Sequence, residues 1–388
     1  MAKIGIDIRV IGKKRTGDEA YFLGLIKNLA KLNRSGLTAT NEFFLFTNCD
    51  LEKDAALVKE INRLDLKDNF KVIFINSPNR FWWNFWALPD YLKKNPVDVF
   101  HTQYIAPFWL PRNIKLVLTI HDISFNFFPQ FIKKLDLFFL KTLLPRSIRR
   151  ADKIITVSEN EKNNIADFYK ISLEKIEFTY NGVDFEKFNR QYSIEEKKQV
   201  RAKYNLPENF MLYIGTLQPR KNIPVIIKAI KTLDIKLVLA GDRNAHNFDK
   251  KIDNIIQKNN LGEKVIFPGW IDEEDKPVLL QSADGFIFPS LYEGFGIPII
   301  EAMAAGLPVI CSNIPVLREI GRDAALFCDP RNSAEFAENI KKILINESLR
   351  RDLIERGKYT AQKFTWQKTA EKTLEIYYKL LTEKLTLP

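Results

Sequence analysis

One stretch in the last third of the sequence joins a strand, a glycine-containing turn, a short helix and a second strand. Its first part, Gly285 to Phe288, is a short apolar run typical of a buried strand. Pro298 suits the first turn of a helix, where a missing N–H is harmless, so a helix is predicted to begin near Ile297. Gly306 suits a left-handed cap that ends this helix before the next apolar run, Val309 to Cys311.

The turn between that strand and helix reads Glu293-Gly-Phe-Gly296. Its glycines let the backbone approach a ligand closely, and the helix start offers unpaired N–H groups with partial positive charge. The turn is therefore predicted to bind an anion. Glu293 in the turn and Glu301 in the first helical turn can face the same crevice, where carboxylates suit sugar hydroxyls. Two alternatives stay open: Glu301 complements the helix dipole, and Glu293 is a solvated loop charge.

Short apolar runs at the spacing of strands recur along the chain in two series, separated by stretches long enough for helices. Alternation of this kind predicts α/β structure with parallel sheets. The first series is Lys3 to Val10, Phe43 to Phe46, Lys71 to Ile75, Val97 to Phe100, Lys115 to Ile120 and Lys153 to Val157; the second is Phe210 to Ile214, Lys236 to Ala240, Val265 to Phe267, Gly285 to Phe288 and Val309 to Cys311.

The length and composition fit a globular chain of two domains, since 388 residues are 46% hydrophobic. No apolar run approaches the roughly 20 residues of a membrane span, and the chain opens directly on a strand, so a cytoplasmic location is expected. The cysteines Cys49, Cys311 and Cys328 are widely spaced and odd in number. They argue against a disulfide framework and structural zinc and are expected to be buried thiols.

The formal net charge is +11, and most of it lies in the first half. Residues 1–190 carry 30 basic and 22 acidic side chains (+8), against 29 and 26 (+3) for residues 191–388. Such asymmetry suits an anionic membrane surface, an acidic acceptor or nucleic acid, although a lysine-rich solvated surface explains it equally. We expect no nucleic-acid partner, because zinc spacing, an RNA-binding signature and a base-reading basic helix are missing from the sequence.

A turn with two adjacent cations follows the first strand of the second series. It runs from Gly215 and Thr216 to Arg220 and Lys221, beside a predicted helix start. Arginine offers a planar fork and lysine a point charge, so the pair can neutralise charge on a departing diphosphate. A surface Arg-Lys pair without a role is the plain alternative.

Two histidines follow strands of the first series. His121 and Asp122 come directly after the run that ends at Ile120, which is where doubly wound sheets bind ligands. His121 is therefore a predicted site residue, with a structural histidine as the alternative. The role of His101, after Phe100, stays open.

Two further segments allow either packing or membrane contact. The aromatic run Phe81-Trp-Trp-Asn-Phe-Trp86 precedes Leu88, Tyr91 and Leu92 at helical spacing, and packing against the sheet is the favoured interpretation. Residues 131–150 resemble a basic amphipathic surface helix that Pro145 is expected to break or kink. Solvated basic side chains explain the second pattern without a membrane, and peripheral binding to the inner face of the plasma membrane stays open.

The whole string from Glu293 through Glu301, with Gly-Phe-Gly inside and Ala-Met-Ala-Ala-Gly-Leu-Pro-Val behind, resembles the signature of glycosyltransferase family 4. Further resemblances cover nearly the whole chain. They lie at Thr119-Ile-His-Asp, Ile155-Thr-Val-Ser158, Tyr180-Asn-Gly-Val-Asp184, Pro219-Arg-Lys221, Phe267-Pro-Gly-Trp270, Phe364-Thr-Trp and Leu374-Glu-Ile-Tyr.

The resemblance implies the GT-B fold, two facing Rossmann-like domains with the active site in the crevice between them. It implies an acceptor-binding domain over residues 1–188, rejoined by a last helix over 366–388, and a donor-binding domain over 189–365. The implied activity is transfer of a hexosyl unit from a nucleotide-diphosphate sugar to a glycan or lipid-linked acceptor with retained anomeric configuration. The donor would be a GDP-mannose-like or UDP-sugar, as in the mannosyltransferase-like group.

The resemblance also implies roles for individual residues. Glu293 would hold donor-sugar hydroxyls, Glu301 the nucleotide ribose, and His121 the donor sugar. Trp270 would line the nucleotide base, with a core aromatic as the alternative. Sugar and diphosphate would meet the N–H groups of Gly294, Phe295, Gly296 and Ile297.

The acceptor side departs from the family pattern. Family members often carry two or more glycines after the first strand, whereas this loop reads Lys13-Lys-Arg-Thr-Gly-Asp-Glu19, with only Gly17 in the loop proper. Lys14 and Arg15 could contact an anionic acceptor, although a solvated turn explains them as well.

Catalysis is expected to need neither a cofactor nor a metal, since Asp-x-Asp occurs nowhere in the chain. A double displacement is disfavoured because the sequence shows no well-placed carboxylate nucleophile. Two alternatives to transfer are a sugar-nucleotide epimerase of the same fold and a non-catalytic binding protein.

Overall fold

The computed structural model describes residues 1–12, 17–34, 41–245 and 247–385, with side chains omitted at 33, 34 and 383–385. The chain divides into two compact units. Unit 1 comprises Met1–Asn126, Ile132–Gly182 and Trp366–Pro388, and unit 2 comprises Phe127–Phe131 and Val183–Thr365.

The described part of unit 1 contains a seven-stranded parallel sheet with the order β3-β2-β1-β4-β5-β6-β7. Parallel strands need crossover connections, and the long stretches between these strands supply them. The strands are β1 Lys3–Asp7, β2 Glu42–Thr47, β3 Phe70–Phe74, β4 Val99–Gln103, β5 Lys115–Thr119, β6 Lys153–Thr156 and β7 Ile176–Phe178.

Helices supply most of those connections and cover the sheet. The segment between α3 and α4 is a π-helical stretch over Trp83–Ala87, and single 3₁₀ turns lie at Pro129–Phe131 and Leu173–Lys175. The α-helices are α1 Gly17–Arg34, α2 Ala55–Arg63, α3 Arg80–Trp82, α4 Leu88–Lys94, α5 Ser124–Phe127, α6 Lys134–Arg150 and α7 Glu159–Tyr169.

The core of unit 1 lies between the sheet and the helices on its faces. The apolar face of α1 is buried, including Tyr21, Phe22 and Leu25. The last helix of the chain, Trp366–Leu385, packs beside α1, and the ring centroids of Tyr21 and Trp366 lie 6.5 Å apart.

Unit 2 contains a second parallel sheet, whose six described strands have the order β10-β9-β8-β11-β12-β13. The central strands of this sheet are almost wholly buried, as expected where helices cover both faces of a parallel sheet. The six strands are β8 Phe210–Ile214, β9 Lys236–Ala240, β10 Val265–Ile266, β11 Gly285–Phe288, β12 Val309–Ser312 and β13 Ala325–Cys328.

The helices of unit 2 follow the same alternation, with 3₁₀ turns at Pro219–Lys221 and Ile230–Thr232. They are α8 Phe185–Asn189, α9 Ile194–Lys203, α10 Ile223–Ala229, α11 Lys251–Lys258, α12 Lys276–Leu280, α13 Ile297–Ala304, α14 Pro315–Gly321, α15 Ser333–Ile345 and α16 Glu347–Ala361; α17 is the helix Trp366–Leu385 of unit 1.

The architecture confirms the predicted α/β class, and the predicted strands match observed ones within a few residues. Two strands, β7 and β13, were not predicted. Both are short strands at the edge of their sheet and are only partly buried, so their apolar pattern is weak.

The helix α6 corrects one expectation. It continues through Pro145 to Arg150, so the predicted break at Pro145 is wrong. Burial of Leu144, Ser147 and Ile148 holds the carboxyl-terminal half of this helix on the sheet despite the missing N–H.

No disulfide joins the three cysteines. Cys311 and Cys328 are buried, as predicted, whereas Cys49 is only half-buried. Burial raises the pKa of the Cys328 thiol to about 12. None of the helices in the described ranges is long and apolar enough to span a bilayer.

Candidate active site

The order of strands in unit 2 points to a candidate ligand site between β8 and β11. Connections leave this pair in opposite directions, toward β9 and β10 on one side and toward β12 and β13 on the other. Such a switch point opens a crevice at the carboxyl ends of the strands. The loop after β8 carries Arg220 and Lys221, and the loop after β11 carries Glu293.

These three side chains form one cluster. Lys221 Nζ lies 2.5 Å from Glu293 Oε1, and Arg220 Nη1 lies 3.6 Å from Glu293 Oε2. The side chains of Arg220, Lys221 and Glu293 are 18%, 12% and 10% exposed, so little water screens them. Two cations face one carboxylate, which leaves a net charge of +1 for an incoming anion.

Hydrogen bonds between the two loops hold the cluster in place. Arg220 Nη1 donates to the Tyr292 carbonyl at 2.7 Å, and the Leu291 N–H donates to the Arg220 carbonyl at 2.9 Å. Asn222, with a left-handed φ of 56°, donates through Nδ2 to the Pro289 carbonyl at 3.1 Å. The cations are thus positioned before any ligand arrives.

The helix α13 begins next to this cluster. It starts at Ile297, as predicted, after Gly296 at φ 106°. An L side chain rarely adopts that φ, and a Cβ on Gly296 would lie 2.9 Å from Leu317 Cδ2. The glycine therefore lets the turn enter the helix, and Gly306 at φ 75° follows the last turn, as predicted.

Glu301 differs from its predicted position. It is the fifth residue of α13, beyond the first turn, so interaction with the helix dipole weakens as an explanation. Lys276 at the start of α12 places Nζ 2.7 Å from both carboxylate oxygens of Glu301. Glu273 lies 3.6 Å from the same Nζ.

Lys276 is the main residue that the sequence did not reveal. It lies in a charged stretch, Asp272-Glu-Glu-Asp-Lys276, with nothing in its spacing to connect it with Glu301. The pair forms because α12 and α13 both pack against α8, and the Lys276 and Glu301 side chains are 14% and 9% exposed.

The predicted donor-binding residues around β8 have mixed environments. The Gly215 N–H donates to the Ala240 carbonyl at 3.0 Å, and the exposed Thr216 accepts at its carbonyl from Tyr213 Oη at 2.8 Å. Burial, and then the charge of Glu293, raise the pKa of Tyr213 well above its usual value, against a smaller opposing effect of Arg220.

Trp270 is 54% exposed, which argues against a core role.

His121 lies at the carboxyl end of β5 in unit 1. Its Nε2 lies 3.1 Å from Gln103 Oε1 and 3.9 Å from Asp18 Oδ1. The Tyr21 ring packs edge-on at 5.0 Å between centroids. Gly17 is the first residue of α1, while Lys14 and Arg15 lie outside the described residues.

His101, whose role stayed open, is structural. It is fully buried, with Nδ1 2.6 Å from Tyr377 Oη and Nε2 2.6 Å from Thr119 Oγ1. Burial lowers its pKa to about 3, helped by the nearby His121 and opposed by Asp7. The ring therefore stays neutral and connects α17 with β4 and β5.

A buried ion pair at the end of β1 was also not predicted. Asp7 and Arg9 are joined at 2.6 Å, and Thr102 Oγ1 donates to Asp7 at 2.9 Å. Burial alone would raise the pKa of Asp7, but the charge and hydrogen bonds of Arg9 lower it overall. The Arg9 guanidinium also lies 4.8 Å above the Trp83 ring, which helps bury that tryptophan.

Comparisons with known proteins identify the family of this chain. Residues 194–360 match the family model described as "Glycosyl transferases group 1", and residues 39–187 match the model "Glycosyltransferase Family 4". The chain is 32% identical over 305 residues to O-antigen chain mannosyltransferase B of Escherichia coli, covering 76% of this chain and 77% of that protein. The chain belongs to glycosyltransferase family 4. It is therefore a glycosyltransferase.

Two further likenesses fit this family 4 enzyme. It is 32% identical over 229 residues to O-antigen chain mannosyltransferase RfbU of Salmonella typhimurium, covering 58% of this chain and 60% of that one. Sucrose-phosphate synthase of Thermosynechococcus elongatus superimposes with a TM-score of 0.78 over 99% of this chain and 100% of that one, at 22% identity. This second likeness concerns the fold alone and confirms the GT-B class.

Proposed function

We propose that this enzyme transfers a hexosyl unit, with retention, from a nucleotide-diphosphate sugar to a glycan or lipid-linked acceptor in cell-surface polysaccharide or glycolipid synthesis. Mannose from a GDP-mannose-like donor is the leading choice, because two relatives are named O-antigen chain mannosyltransferases. Residues 189–365 would bind the donor, and residues 1–188 with 366–388 the acceptor.

The cluster of Arg220, Lys221 and Glu293 carries the proposal. A diphosphate leaving group gains charge as the glycosidic bond breaks, and positioned cations stabilise that charge most in the transition state. The Lys221 ammonium and the Arg220 guanidinium are held between two loops within 2.5 and 3.6 Å of Glu293. The positive end of α13 adds to them.

The other site residues would position the donor. Glu293 would accept hydrogen bonds from hydroxyls of the sugar, whose anomeric carbon becomes oxocarbenium-like. Glu301 would bind the ribose, and His121 would contact the donor sugar. Trp270, half-exposed, would lie against the nucleotide base. The acceptor hydroxyl would enter on the face from which the diphosphate leaves, so the configuration is retained without a covalent intermediate.

A donor panel tests the proposal. Purified enzyme is incubated with GDP-mannose or UDP-sugars, with and without glycan acceptors, and free nucleotide diphosphate and the glycosylated product are measured. Acceptor-dependent release with product supports transfer. An epimerase would consume the donor without acceptor and without transfer, and a binding protein would release no diphosphate with any acceptor. Family membership favours the transferase over both.

Contact with an anionic membrane belongs to the same proposal, since a lipid-linked acceptor lies in a bilayer. The excess of eight positive charges in residues 1–190, 30 basic against 22 acidic, supports it.

A further inference from the structure

Unit 1 exposes a set of large apolar side chains that its core does not use. Trp83, in the middle of the aromatic run, is fully buried, which agrees with the predicted packing. The side chains of Trp82 and Trp86 in the same run point outward. We call the exposed set the aromatic patch; it consists of Trp82, Trp86, Trp109, Leu135 and Phe138, which are 49%, 54%, 66%, 62% and 60% exposed.

Ring contacts join the patch in two groups, one that runs from Trp82 to Trp109 and one that joins Phe81 to Phe138 and Phe139 on α6. An ion pair between Arg80 and Asp136 also fastens α3 to α6. The centroid distances are 5.0 Å for Trp82–Trp86, 5.5 Å for Phe85–Trp86, 4.8 Å for Phe85–Phe108, 4.9 Å for Phe108–Trp109, 4.3 Å for Phe81–Phe139 and 5.6 Å for Phe138–Phe139. The patch therefore spans the aromatic run, the loop after β4 and α6.

A basic rim surrounds this patch. The segments 78–89, 105–114 and 129–150 together hold eight basic residues and one acidic residue, a net charge of +7 out of the chain's +11. Within the described residues, the rim side chains have no acidic partner, apart from the pairs Arg80–Asp136 and Arg150–Asp152. The unpaired members are Arg112, Lys133, Lys134, Lys141, Arg146 and Arg149.

A cavity of about 220 Å³ opens between the rim and the patch. Its lining combines the rings of Phe108 and Trp109 with the side chains of Arg112 and Arg146. The Arg146 guanidinium lies 3.7 Å above the Phe108 ring, so the cation is held in position while its outer N–H groups stay available. Such a lining suits a phosphodiester with an apolar neighbour.

We propose that the aromatic patch and its basic rim form a docking surface for an anionic bilayer, with the cavity beside Arg146 accepting a lipid phosphate. Tryptophan and phenylalanine enter the boundary between headgroups and acyl chains, and basic side chains remain at the anionic surface. This inference deepens the membrane part of the proposed function and does not depend on the identity of the donor or on the reaction.

The charge of the rim favours a bilayer over a second copy of the chain. A twofold dimer through this surface would place two rims of +7 against each other, and like charges across an interface are unfavourable. An anionic bilayer neutralises the same charge.

Vesicle co-sedimentation of the full chain tests the inference. Phosphatidylcholine vesicles are compared with vesicles containing roughly one third phosphatidylglycerol, at low and high salt. Wild type should bind the anionic vesicles and lose binding as salt rises. The variant Trp82→Ala/Trp86→Ala/Trp109→Ala should lose at least about tenfold in affinity. The variant Lys141→Gln/Arg146→Gln/Arg149→Gln should lose on the order of a hundredfold, since each basic residue contributes about fivefold.

Matched controls on unit 2 remove the same chemistry elsewhere. Tyr359→Ala removes an aromatic side chain that is 65% exposed. The triple variant Lys198→Gln/Lys251→Gln/Lys258→Gln removes the same number of charges from exposed positions on α9 and α11. Both should bind anionic vesicles like wild type. Soluble glycerophosphate should compete only weakly, because it lacks the apolar contact.

Several outcomes would overturn the inference. One is equal binding to neutral and anionic vesicles, and another is equal loss in patch and control variants. A third is a dimer that the tryptophan variant dissociates, without vesicle binding, and a fourth is preference for single-stranded nucleic acid. Glycosyl transfer to a water-soluble acceptor should persist in the patch variants. If wild type transferred no glycosyl unit from any donor, the proposed function would be contradicted. The vesicle experiment would still test membrane binding independently.

Discussion

Arg220 and Lys221 are tied to Glu293 in a region with little water, so each should act mainly on the transition state. We expect Arg220→Ala or Lys221→Ala to lower turnover by about a hundredfold or more, with a smaller change in donor affinity. Steady-state kinetics and calorimetry with the donor separate the two effects. Lys228→Ala, an exposed lysine on the following helix, serves as the control. Wild-type turnover in both variants would mean that the pair does not stabilise the leaving group.

Glu301 and Lys276 form a nearly buried pair, and a ribose contact would add to it. Glu301→Gln should weaken nucleotide diphosphate binding by about 1.5–3 kcal/mol, the range for a hydrogen bond to a charged group, and should leave the fold intact. Calorimetry measures the affinity. An unchanged affinity with an unchanged melting temperature would show that Glu301 does not contact the nucleotide.

Lys276→Met provides the companion measurement. It leaves the Glu301 carboxylate without its cation, and the double variant Lys276→Met/Glu301→Gln removes that penalty. The double variant should be more stable than the sum of the single changes implies.

His101 makes stability depend on pH. Its pKa is about 3 in the folded chain and about 6.5 in the unfolded chain. Between these values the unfolded state binds more protons, so the free energy of unfolding falls as the pH drops from about 6.5 toward 3. His101→Gln should flatten this dependence, as measured by urea unfolding across the window. Tyr377→Phe removes the hydroxyl partner but keeps the buried imidazole, so its curve should be lower and equally steep. Parallel curves for wild type and His101→Gln would contradict the assignment.

At the residue level, the sequence indicated side chains that stand next to recognisable backbone features. Arg220, Lys221 and Glu293 follow strand ends and adjoin a proline or glycine turn, so their spacing carries information. Lys276 has no such recognisable feature beside it in the sequence, because its contact with Glu301 depends on the three-dimensional packing of unit 2. The buried pair of Asp7 and Arg9 escaped prediction for a related reason, since partners such as Thr102 are far away in the sequence although they lie on the neighbouring strand β4.

Packing between helices contributes to the stability of the protein, and the contact between α1 and α17 is an example. A Cβ added to Gly24 of α1 would lie 2.3 Å from Cδ2 of the Trp366 ring. Gly24→Ala should therefore displace α17 and destabilise the protein by about 1–3 kcal/mol, as overpacking does. Gly17→Ala on the same helix meets nothing within 4 Å and serves as the control. Thermal unfolding of the two variants tests this prediction. Equal melting temperatures would show that α17 accommodates the added methyl group without strain.

Strands with a clear run of apolar residues were predicted, and strands without one were not. Central strands such as β8 and β11 are buried on both faces and therefore read as continuous apolar runs. The edge strand β7 includes Glu177, and the edge strand β13 is only partly buried, so neither stands out. The helix α6 also continues through Pro145 without a break, because packing of α6 on its sheet outweighs one lost hydrogen bond.

The whole molecule was predictable as a fold class, because two β/α series specify two parallel sheets independently of detail. It was harder to predict which side chains lie on the surface. The sequence favoured packing for the aromatic run, and the burial of Trp83 agrees with that prediction, but the exposure of Trp82 and Trp86 is seen only in the structure, where Trp86 lies in a π-helical stretch. A helical period different from 3.6 turns side chains away from their expected direction.

The charge arrangement of the enzyme leads to a prediction about metals. We expect transfer to need no divalent ion, because Asp-x-Asp is missing from the sequence and Arg220, Lys221 and α13 supply the positive charge that a metal would bring to a diphosphate. Exhaustively dialysed enzyme in excess chelator should form as much product as enzyme with magnesium or manganese. Proton NMR of the new linkage should show the anomeric configuration of the donor. Loss of activity in chelator that metal restores would contradict the role given to Arg220 and Lys221, and an inverted linkage would separately contradict the retaining mechanism.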